Sequence, residues 1–203
     1  MKRLLLLVLL SSIVLSACSK AGEVDVSSRY GNTMDDFEVV DQNDETFTKA
    51  DMDGKVYLVD FIFTNCTTVC PPMTHNMTSV VEDLEKDGVE NYAILSFSVD
   101  PKRDTPEVLR EYIDLYHIND LNADWTFVTG YDYEFIRKFS EKNFKTIVAP
   151  PPEGSDQITH GTSFYLVDEN GKIIKDYSGV DSGDKRFPKE EIVSDVKKLT
   201  KNL

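Results

Sequence analysis

Apolar residues recur along this 203-residue chain in two different periods, and together they predict strands that alternate with helices. Two long, mostly apolar runs stand at residues 56–63 (VYLVDFIF) and 92–99 (YAILSFSV). Runs that are rich in β-branched and aromatic side chains are typical of strands buried on both faces of a sheet. A shorter run at residues 125–128 predicts a third strand.

Two pairs of shorter apolar runs predict β-hairpins. Residues 37–40 and 46–48 flank the polar tetrapeptide DQND, and residues 162–167 and 173–177 flank the tetrapeptide DENG. The Asn-Gly pair in the second tetrapeptide favours a tight turn between antiparallel strands. The first hairpin precedes the first long strand, and the second lies near the end of the chain.

Two segments that follow strands have both helical spacing and a helix-starting sequence. Pro71-Pro72 opens a segment whose apolar residues include Met73 and Met77 and which ends near Gly88. Proline is tolerated in the first turn of a helix, and methionines at this spacing are expected in the core. Thr105-Pro106-Glu107 supplies a cap, a first helical residue and an early acid. The predicted apolar stripe of this second helix is Val108, Leu109, Tyr112 and Leu115.

The remaining segments complete the order of elements. Residues 133–144 and 192–199 have helical spacing. Residues 145–160 interrupt this rhythm, and the proline-rich part at 149–156 predicts an irregular loop. The order is therefore hairpin, β, α, β, α, β, α, ββ, α. This order predicts an α/β domain with a central mixed sheet flanked by helices. A buried strand that leads to a cysteine and then to a helix is the layout of a thioredoxin-like fold.

The N-terminal residues have the composition of a targeting segment. Met1-Lys2-Arg3 is basic, an apolar run follows, and Leu-Ser-Ala precedes Cys18. This order predicts a lipoprotein signal peptide at residues 1–17, because the apolar run is shorter than the roughly 20 residues of a membrane span. The sequence before Cys18 resembles a lipobox, so we expect Cys18 to be lipidated. The alternative is an ordinary signal peptide in which Cys18 is incidental.

Domain organisation and location follow from this interpretation. Residues 18–33 would form the lipidated cysteine and a tether, and residues 34–203 a single domain. The chain is then expected at the cell membrane, lipid-anchored and facing the extracytoplasmic side. The full chain has a formal net charge of −14, and removal of residues 1–17 makes the charge −16. Such acidity argues against nucleic acid as a partner.

Cys66 and Cys70 are the cysteines that remain for chemistry once Cys18 is assigned to the anchor. They stand where the first long strand leads into the helix that Pro71 opens, and a helix N-terminus favours the thiolate form. If the turn is helical, their Cα atoms lie roughly 6 Å apart, within disulfide range. A reversible disulfide and a two-thiolate metal site are therefore both compatible with the spacing.

One of the three histidines is the best third ligand for such a site. Two thiolates suit a soft ion such as Cu(I), and an imidazole would extend the site to Cu(II). His75 lies further along the same helix, and His117 ends another helix. His160 precedes the strand at 162–167, and in a thioredoxin-like fold the loop before that strand faces the cysteine turn. We therefore expect Cys66, Cys70 and His160 to bind the metal.

Three motifs in this order resemble the Sco/SenC family of copper-binding, thioredoxin-like cytochrome c oxidase assembly proteins. They are FTNC with CPPM (63–66 and 70–73), SVDP with DTP (98–101 and 104–106), and His160 before FYLVD (164–168). The resemblance covers roughly residues 34–200 and implies one copper per chain, as Cu(I) and/or Cu(II). It implies a metallochaperone that delivers copper to cytochrome c oxidase subunit II or reduces that subunit's cysteines. A thiol reductant for Cys66 and Cys70 would be a further partner.

The sequence departs from the family pattern at one position and leaves alternatives open. Many members have proline directly after the first cysteine, where this chain has Thr67. A metal-independent thiol–disulfide oxidoreductase that uses Cys66 and Cys70 is the main alternative. Thioredoxin-like reductases usually have two residues between their cysteines and a cis-proline opposite them. This chain has three residues between the cysteines, and Gly161-Thr162-Ser163 stands where the proline is expected. A peroxidase is disfavoured because no basic residue lies near Cys66, and a purely structural disulfide leaves His160 without a role.

Overall fold

The computed structural model describes residues 24–27, 29–201 and 203. The predicted signal peptide and Cys18 lie outside these residues. Within them, no helix is both long and apolar enough to cross a membrane. The strands are β1 (Glu38–Asp41), β2 (Thr46–Thr48), β3 (Val56–Ile62), β4 (Tyr92–Ser98), β5 (Asp124–Thr129), β6 (Val148–Ala149), β7 (Thr159–His160), β8 (Ser163–Val167) and β9 (Ile173–Ser178). The helices are α1 (Cys70–Lys86), α2 (Pro106–Leu115), α3 (Tyr133–Phe144) and α4 (Lys189–Thr200).

Seven of these strands form one mixed sheet in the order β2-β1-β5-β4-β3-β8-β9. Strands β3, β4 and β5 are parallel, and β8, β9, β1 and β2 extend the sheet with antiparallel pairs. Helices flank this sheet, as in the thioredoxin-like fold that the sequence predicted. The parallel pairing of β3 with β4 places the ends of both strands at the same edge, where the loop that carries Cys66 begins.

The core explains why β3 and β4 lack an alternating pattern. Every residue of both strands is buried, because helices cover both faces of a sheet at its centre. Helix α1 contributes seven buried side chains, among them Met73 and Met77, which are fully buried. The prediction that these two methionines belong to the core is therefore confirmed.

The structure corrects two predictions about local elements. Leu115 was placed on the buried stripe of α2, but it is the last residue of that helix and is 70% exposed. No strand was predicted in residues 145–160, with an irregular loop at 149–156, whereas β6 and β7 pair at the two ends of that loop as a two-stranded antiparallel sheet. Strands of two residues are too short to show any periodicity in the sequence. Their pairing sets His160 opposite Val148.

The segment before residue 34 is packed against the domain. The N–H groups of Ser27 and Gly31 donate to the carbonyls of Ile174 and Ile173 in the edge strand β9. Val24 is buried. The packed part of the chain thus begins by Val24, ten residues earlier than the sequence predicted. Because this segment occupies the hydrogen-bonding groups of an edge strand, it protects the sheet from pairing with other chains.

Candidate metal centre

Cys66 lies in the loop between β3 and α1, and its sulfur caps the helix. The N–H of Cys70, the first residue of α1, donates to Sγ of Cys66 over 3.3 Å. Val69, at the cap position, supplies no side-chain hydrogen bond. The first N–H groups of a helix have no partner within the helix, so they favour a negatively charged acceptor. The N–H of Cys66 donates to the carbonyl of Phe63 over 3.2 Å, which closes the loop.

His160 reaches the site from β7 with its ring fixed in orientation. Its Nδ1 lies 2.8 Å from the carbonyl oxygen of Gly161, which can only accept, so Nδ1 carries the proton. Nε2 of the neutral ring is then free to act as an acceptor, and it lies 3.4 Å from Sγ of Cys70. The fully buried ring of Phe63 meets the imidazole edge to face, with centroids 5.6 Å apart. The tautomer that leaves Nε2 free is the one a metal ligand needs.

The structure brings together the three residues that the sequence singled out. One donor atom from each of Cys66, Cys70 and His160 lies within 4.8 Å of the other two. Both cysteines are buried and reduced, and His160 is half-buried. The other two histidines, His75 and His117, are exposed and lie outside this group. The site therefore sits near the surface, with its two sulfurs shielded from solvent.

The two thiols have opposite electrostatic environments. A hydrogen bond from Cys70 lowers the pKa of Cys66 to about 3, and the proximity of His160 adds to the shift. The same bond to Cys66, together with burial, raises the pKa of Cys70 well above its usual range. At neutral pH the pair therefore holds one thiolate, on Cys66, and one proton, on Cys70. A metal ion that binds both sulfurs must displace that proton.

A buried carboxylate lies beneath the site. Asp60 belongs to β3 and is fully buried, and burial raises its pKa to about 6. One of its oxygens accepts a hydrogen bond from the hydroxyl of Ser96 over 2.6 Å, while the other has no hydrogen-bond partner among the described residues. Asp60 raises the pKa of Cys70, whereas His160 lowers that of Asp60. Sequence analysis did not single out Asp60, because it stands within a buried and otherwise apolar strand.

The SVDP and DTP motif (residues 98–101 and 104–106) holds the cysteine loop in place through hydrogen bonds. The carboxylate of Asp104 is fully buried and accepts hydrogen bonds from the hydroxyls of Thr64 and Ser98, each 2.6 Å long. Thr105 caps α2, as predicted, by accepting from the N–H of Val108. Asp100 pairs with Arg103 and is outside the group of potential ligands. This motif therefore fixes the position of Thr64, two residues before Cys66.

A third set of contacts joins the proline-rich loop to the cysteine loop, and sequence reasoning missed it. The side chain of Gln157 contacts the backbone of Asn65 and of Thr67. Asn65 donates to the carboxylate of Asp156 over 2.7 Å. These partners are about 90 residues apart in the sequence, and an isolated glutamine or asparagine in a loop has no pattern that identifies its partner. Three-dimensional proximity alone reveals them.

The donor set suits a soft metal ion. Two sulfurs and one imidazole nitrogen are ligands that favour copper, and Cu(I) in particular for the thiolates. A structural zinc site usually has four protein ligands, and the described residues supply three here. A site with three protein donors near the surface leaves room for a ligand from another molecule. The geometry thus fits copper held for exchange.

Comparison with known proteins identifies the family. The family model described as SCO1/SenC matches residues 26–201. A SCO1 protein homolog of Bacillus subtilis is 40% identical over 185 residues, which is 91% of each chain. The chain belongs to the SCO1/SenC family.

Solved structures share the fold of this SCO1/SenC protein. A SCO1/SenC family lipoprotein from Bacillus anthracis is 41% identical, with a TM-score of 0.75 over 82% of this chain and 94% of that one. BsSco, described as a member of the Sco family of cytochrome c oxidase assembly proteins in which a disulfide switch was identified, is 37% identical. Its TM-score is 0.72 over 87% of this chain and 98% of that one.

A more distant structure contains metal. Bradyrhizobium japonicum ScoI was solved with copper bound and is 24% identical, with a TM-score of 0.65 over 83% of this chain and 99% of that one. At this identity the likeness establishes the shared fold alone. The thioredoxin-like fold that the sequence predicted for this SCO1/SenC protein is confirmed.

Proposed function

We propose that this SCO1/SenC protein is an extracytoplasmic metallochaperone that binds one copper ion and serves in cytochrome c oxidase assembly. The observation that carries the proposal is the convergence of Cys66, Cys70 and His160 within 4.8 Å, with one thiolate already formed. The copper-bound relative from Bradyrhizobium japonicum and the oxidase assembly family of BsSco support it. Copper here is cargo that the protein receives and passes on.

Each of the three residues has a distinct part in holding the cargo. Cys66 offers a thiolate at neutral pH, so it makes the first contact with an incoming ion. Cys70 then loses its proton, and His160 adds Nε2, whose tautomer the carbonyl of Gly161 fixes. Because the site has three protein ligands, a donor atom of the acceptor can enter and replace them one at a time. Copper then passes from protein to protein without release into water.

We assign subunit II of cytochrome c oxidase as the acceptor of the copper. Delivery of copper to that subunit and reduction of its cysteines are both within the chemistry of the Cys66–Cys70 pair. Oxidation of the pair to a disulfide removes both sulfur ligands and blocks copper binding, so a thiol reductant is needed to restore the site. The protein is therefore a donor whose loading depends on its redox state.

A lipid anchor would place this donor at the membrane. We propose that residues 1–17 are a signal peptide, that Cys18 is lipidated, and that residues 34–203 contain the copper-binding domain. The Bacillus anthracis relative is described as a lipoprotein, which supports the proposal. Cys18→Ala should release the protein from the membrane fraction into the extracytoplasmic space. Retention of that variant in the membrane without lipid would contradict the anchor.

A transfer experiment tests the metallochaperone function. Copper-loaded protein is mixed with the copper-free soluble domain of subunit II in the presence of a chelator that captures free copper. Separation of the two proteins should then show copper in the acceptor, with none gained by the chelator. A Cys70→Ala variant, which lacks one of the sulfurs, serves as the control and should transfer little. Copper that appears only in the chelator would contradict direct delivery.

The opposite pKa shifts of the two thiols favour a second candidate function. A thiol–disulfide oxidoreductase needs a thiolate as nucleophile and a protonated resolving thiol, and Cys66 and Cys70 match these protonation states. In that reaction Cys66 attacks the acceptor's disulfide, and Cys70 then displaces the acceptor as a dithiol. The protein is left as the Cys66–Cys70 disulfide. Metal-free reduced protein should reduce the acceptor if this function operates, and His160→Ala should leave that reduction intact.

A further inference from the structure

Gln157 makes an unusual pair of contacts on the cysteine loop. Its Oε1 accepts from the N–H of Thr67 over 3.1 Å, and its Nε2 donates to the carbonyl of Asn65 over 3.1 Å. These two groups belong to the peptide bonds on either side of Cys66. One side chain therefore holds both peptide bonds of a proposed copper ligand. The hydroxyl of Thr67 adds a third contact to Oε1, over 3.3 Å.

The backbone that carries Gln157 also carries His160, three residues later. Strand β7 pairs His160 with Val148, so the end of this segment is fixed to β6. At the other end, the carboxylate of Asp156 accepts from Nδ2 of Asn65 and from Nε2 of Gln157, over 2.7 and 2.9 Å. The segment 156–160 thus connects the cysteine loop to the strand of the histidine. A displacement of one would be transmitted to the other.

From these contacts we propose that Gln157 is a positioning residue for the metal centre. It holds Cys66 against the His160 segment before any metal binds, so that the three donor atoms are already within 4.8 Å of one another. This inference deepens the proposed copper function and rests on it. Its physical basis is preorganisation: contacts made in the metal-free state remove the cost of ordering the loop when the ion arrives.

Amide hydrogen exchange of the reduced, metal-free protein tests the positioning directly. In Gln157→Ala, the amides of Thr67, Cys66 and Cys70 should all exchange faster than in the wild type. The Cys70 amide matters most, because it donates to the sulfur of Cys66 and so reports where that sulfur lies. Glu153→Ala is the matched control: Glu153 is exposed in the same loop and makes no hydrogen bond among the described residues. It should leave all three amides unchanged.

Copper binding supplies the second measurement on the same variants. Loss of a supporting contact around a metal site typically weakens metal binding by about 10- to 100-fold, and we expect about tenfold for Gln157→Ala. The electron spin resonance spectrum of bound Cu(II) should also change. Thr67→Pro removes the backbone N–H that donates to Gln157. The loss of copper affinity caused by Gln157→Ala should therefore be smaller in the Thr67→Pro protein than in the wild type.

The outcomes separate this inference from the proposed function. Faster exchange at Thr67 alone, with the Cys70 amide and copper affinity unchanged, would show that Gln157 merely orders an exposed turn, and would overturn the inference. Failure of the wild type to bind copper would overturn the copper function. In that case exchange at the Cys70 amide still decides the positioning of Cys66: faster exchange in Gln157→Ala supports it, and equal exchange overturns it.

Discussion

At the scale of single residues, Cys66 and Cys70 lie side by side but differ in protonation state. The thiol of Cys70 and the first N–H of α1 both donate to the sulfur of Cys66, and His160 lies beside that sulfur. Cys70 is fully buried and keeps its proton. This division assigns the first contact with metal or disulfide to Cys66. It follows from where the loop places each sulfur relative to the helix N-terminus, since the two residues are chemically identical.

The charge states predict selective alkylation. Because the pKa of Cys66 is lowered to about 3, a small alkylating reagent should label Cys66 in the reduced protein at a rate that is constant between pH 5 and 8. Cys70 should stay unlabelled. In Cys70→Ala the principal hydrogen-bond donor is gone, so the pKa of Cys66 should rise and its labelling become pH-dependent. Mass spectrometry of the peptides measures both rates. A wild-type rate that rises tenfold per pH unit would contradict this assignment.

Asp60 predicts a pH-dependent gain in stability on substitution. Burial raises its pKa from 3.8 to about 6, so the folded state holds the proton more tightly than the unfolded state. The group therefore destabilises the fold as pH rises from about 4 to above 6, by about 3 kcal/mol at 1.36 kcal/mol per pKa unit. Asp60→Asn should gain this difference relative to wild type between pH 4 and 7. Urea denaturation of the metal-free proteins measures it, and a difference independent of pH would refute it.

At the scale of elements, the sequence predicted what periodicity can encode. The long apolar runs predicted β3 and β4, and the Asn-Gly turn predicted the β8–β9 hairpin. Proline in the first turn predicted the start of α1, and a threonine cap followed by proline predicted the start of α2. The pairing of β6 with β7 was missed because two-residue strands have no period. The contacts of Gln157 were missed because they join loops about 90 residues apart. The three potential ligands were found because cysteine and histidine are few in this chain.

Gly161 directly follows β7, and the position of His160 at the end of that strand depends on it. A Cβ at this position would overlap Oγ1 of Thr146, which is itself buried. Gly161→Ala should therefore shift the end of β7, lower the free energy of unfolding by about 1 to 3 kcal/mol and weaken copper binding. Thr146→Ala removes the overlapping atom, so the double variant should recover most of both losses. Urea denaturation and copper titration measure them. A double variant no better than Gly161→Ala would show that the overlap is not the cause.

At the scale of the whole molecule, the segment before residue 34 is part of the folded unit. It covers the edge strand β9 and buries Val24, and Tyr30 packs against the core. If Cys18 is lipidated, the five residues 19–23 separate it from Val24, where the described and packed part of the chain begins. The domain would then be held close to the membrane rather than at the end of a long tether.

Truncation measures the contribution of this segment. A protein that begins at residue 34 should be less stable than one that begins at residue 19, by about 2 to 3 kcal/mol for the lost burial of Val24 and Tyr30. It should also aggregate more readily, because the edge of β9 is uncovered. Urea denaturation and light scattering compare the two proteins. Identical unfolding curves would show that the segment contributes nothing to the fold.

The measurement that tests the central claim most directly is anaerobic titration of reduced protein (residues 19–203) with Cu(II). Visible absorption and electron spin resonance follow the binding. Wild type should bind one tight equivalent with a thiolate-to-copper charge-transfer band. Cys66→Ala and Cys70→Ala should lose the band, His160→Ala should alter the spectrum, and His75→Ala, which changes an exposed histidine on α1, should match wild type. Absence of tight binding, or binding that survives loss of either cysteine, would contradict a copper centre at these residues.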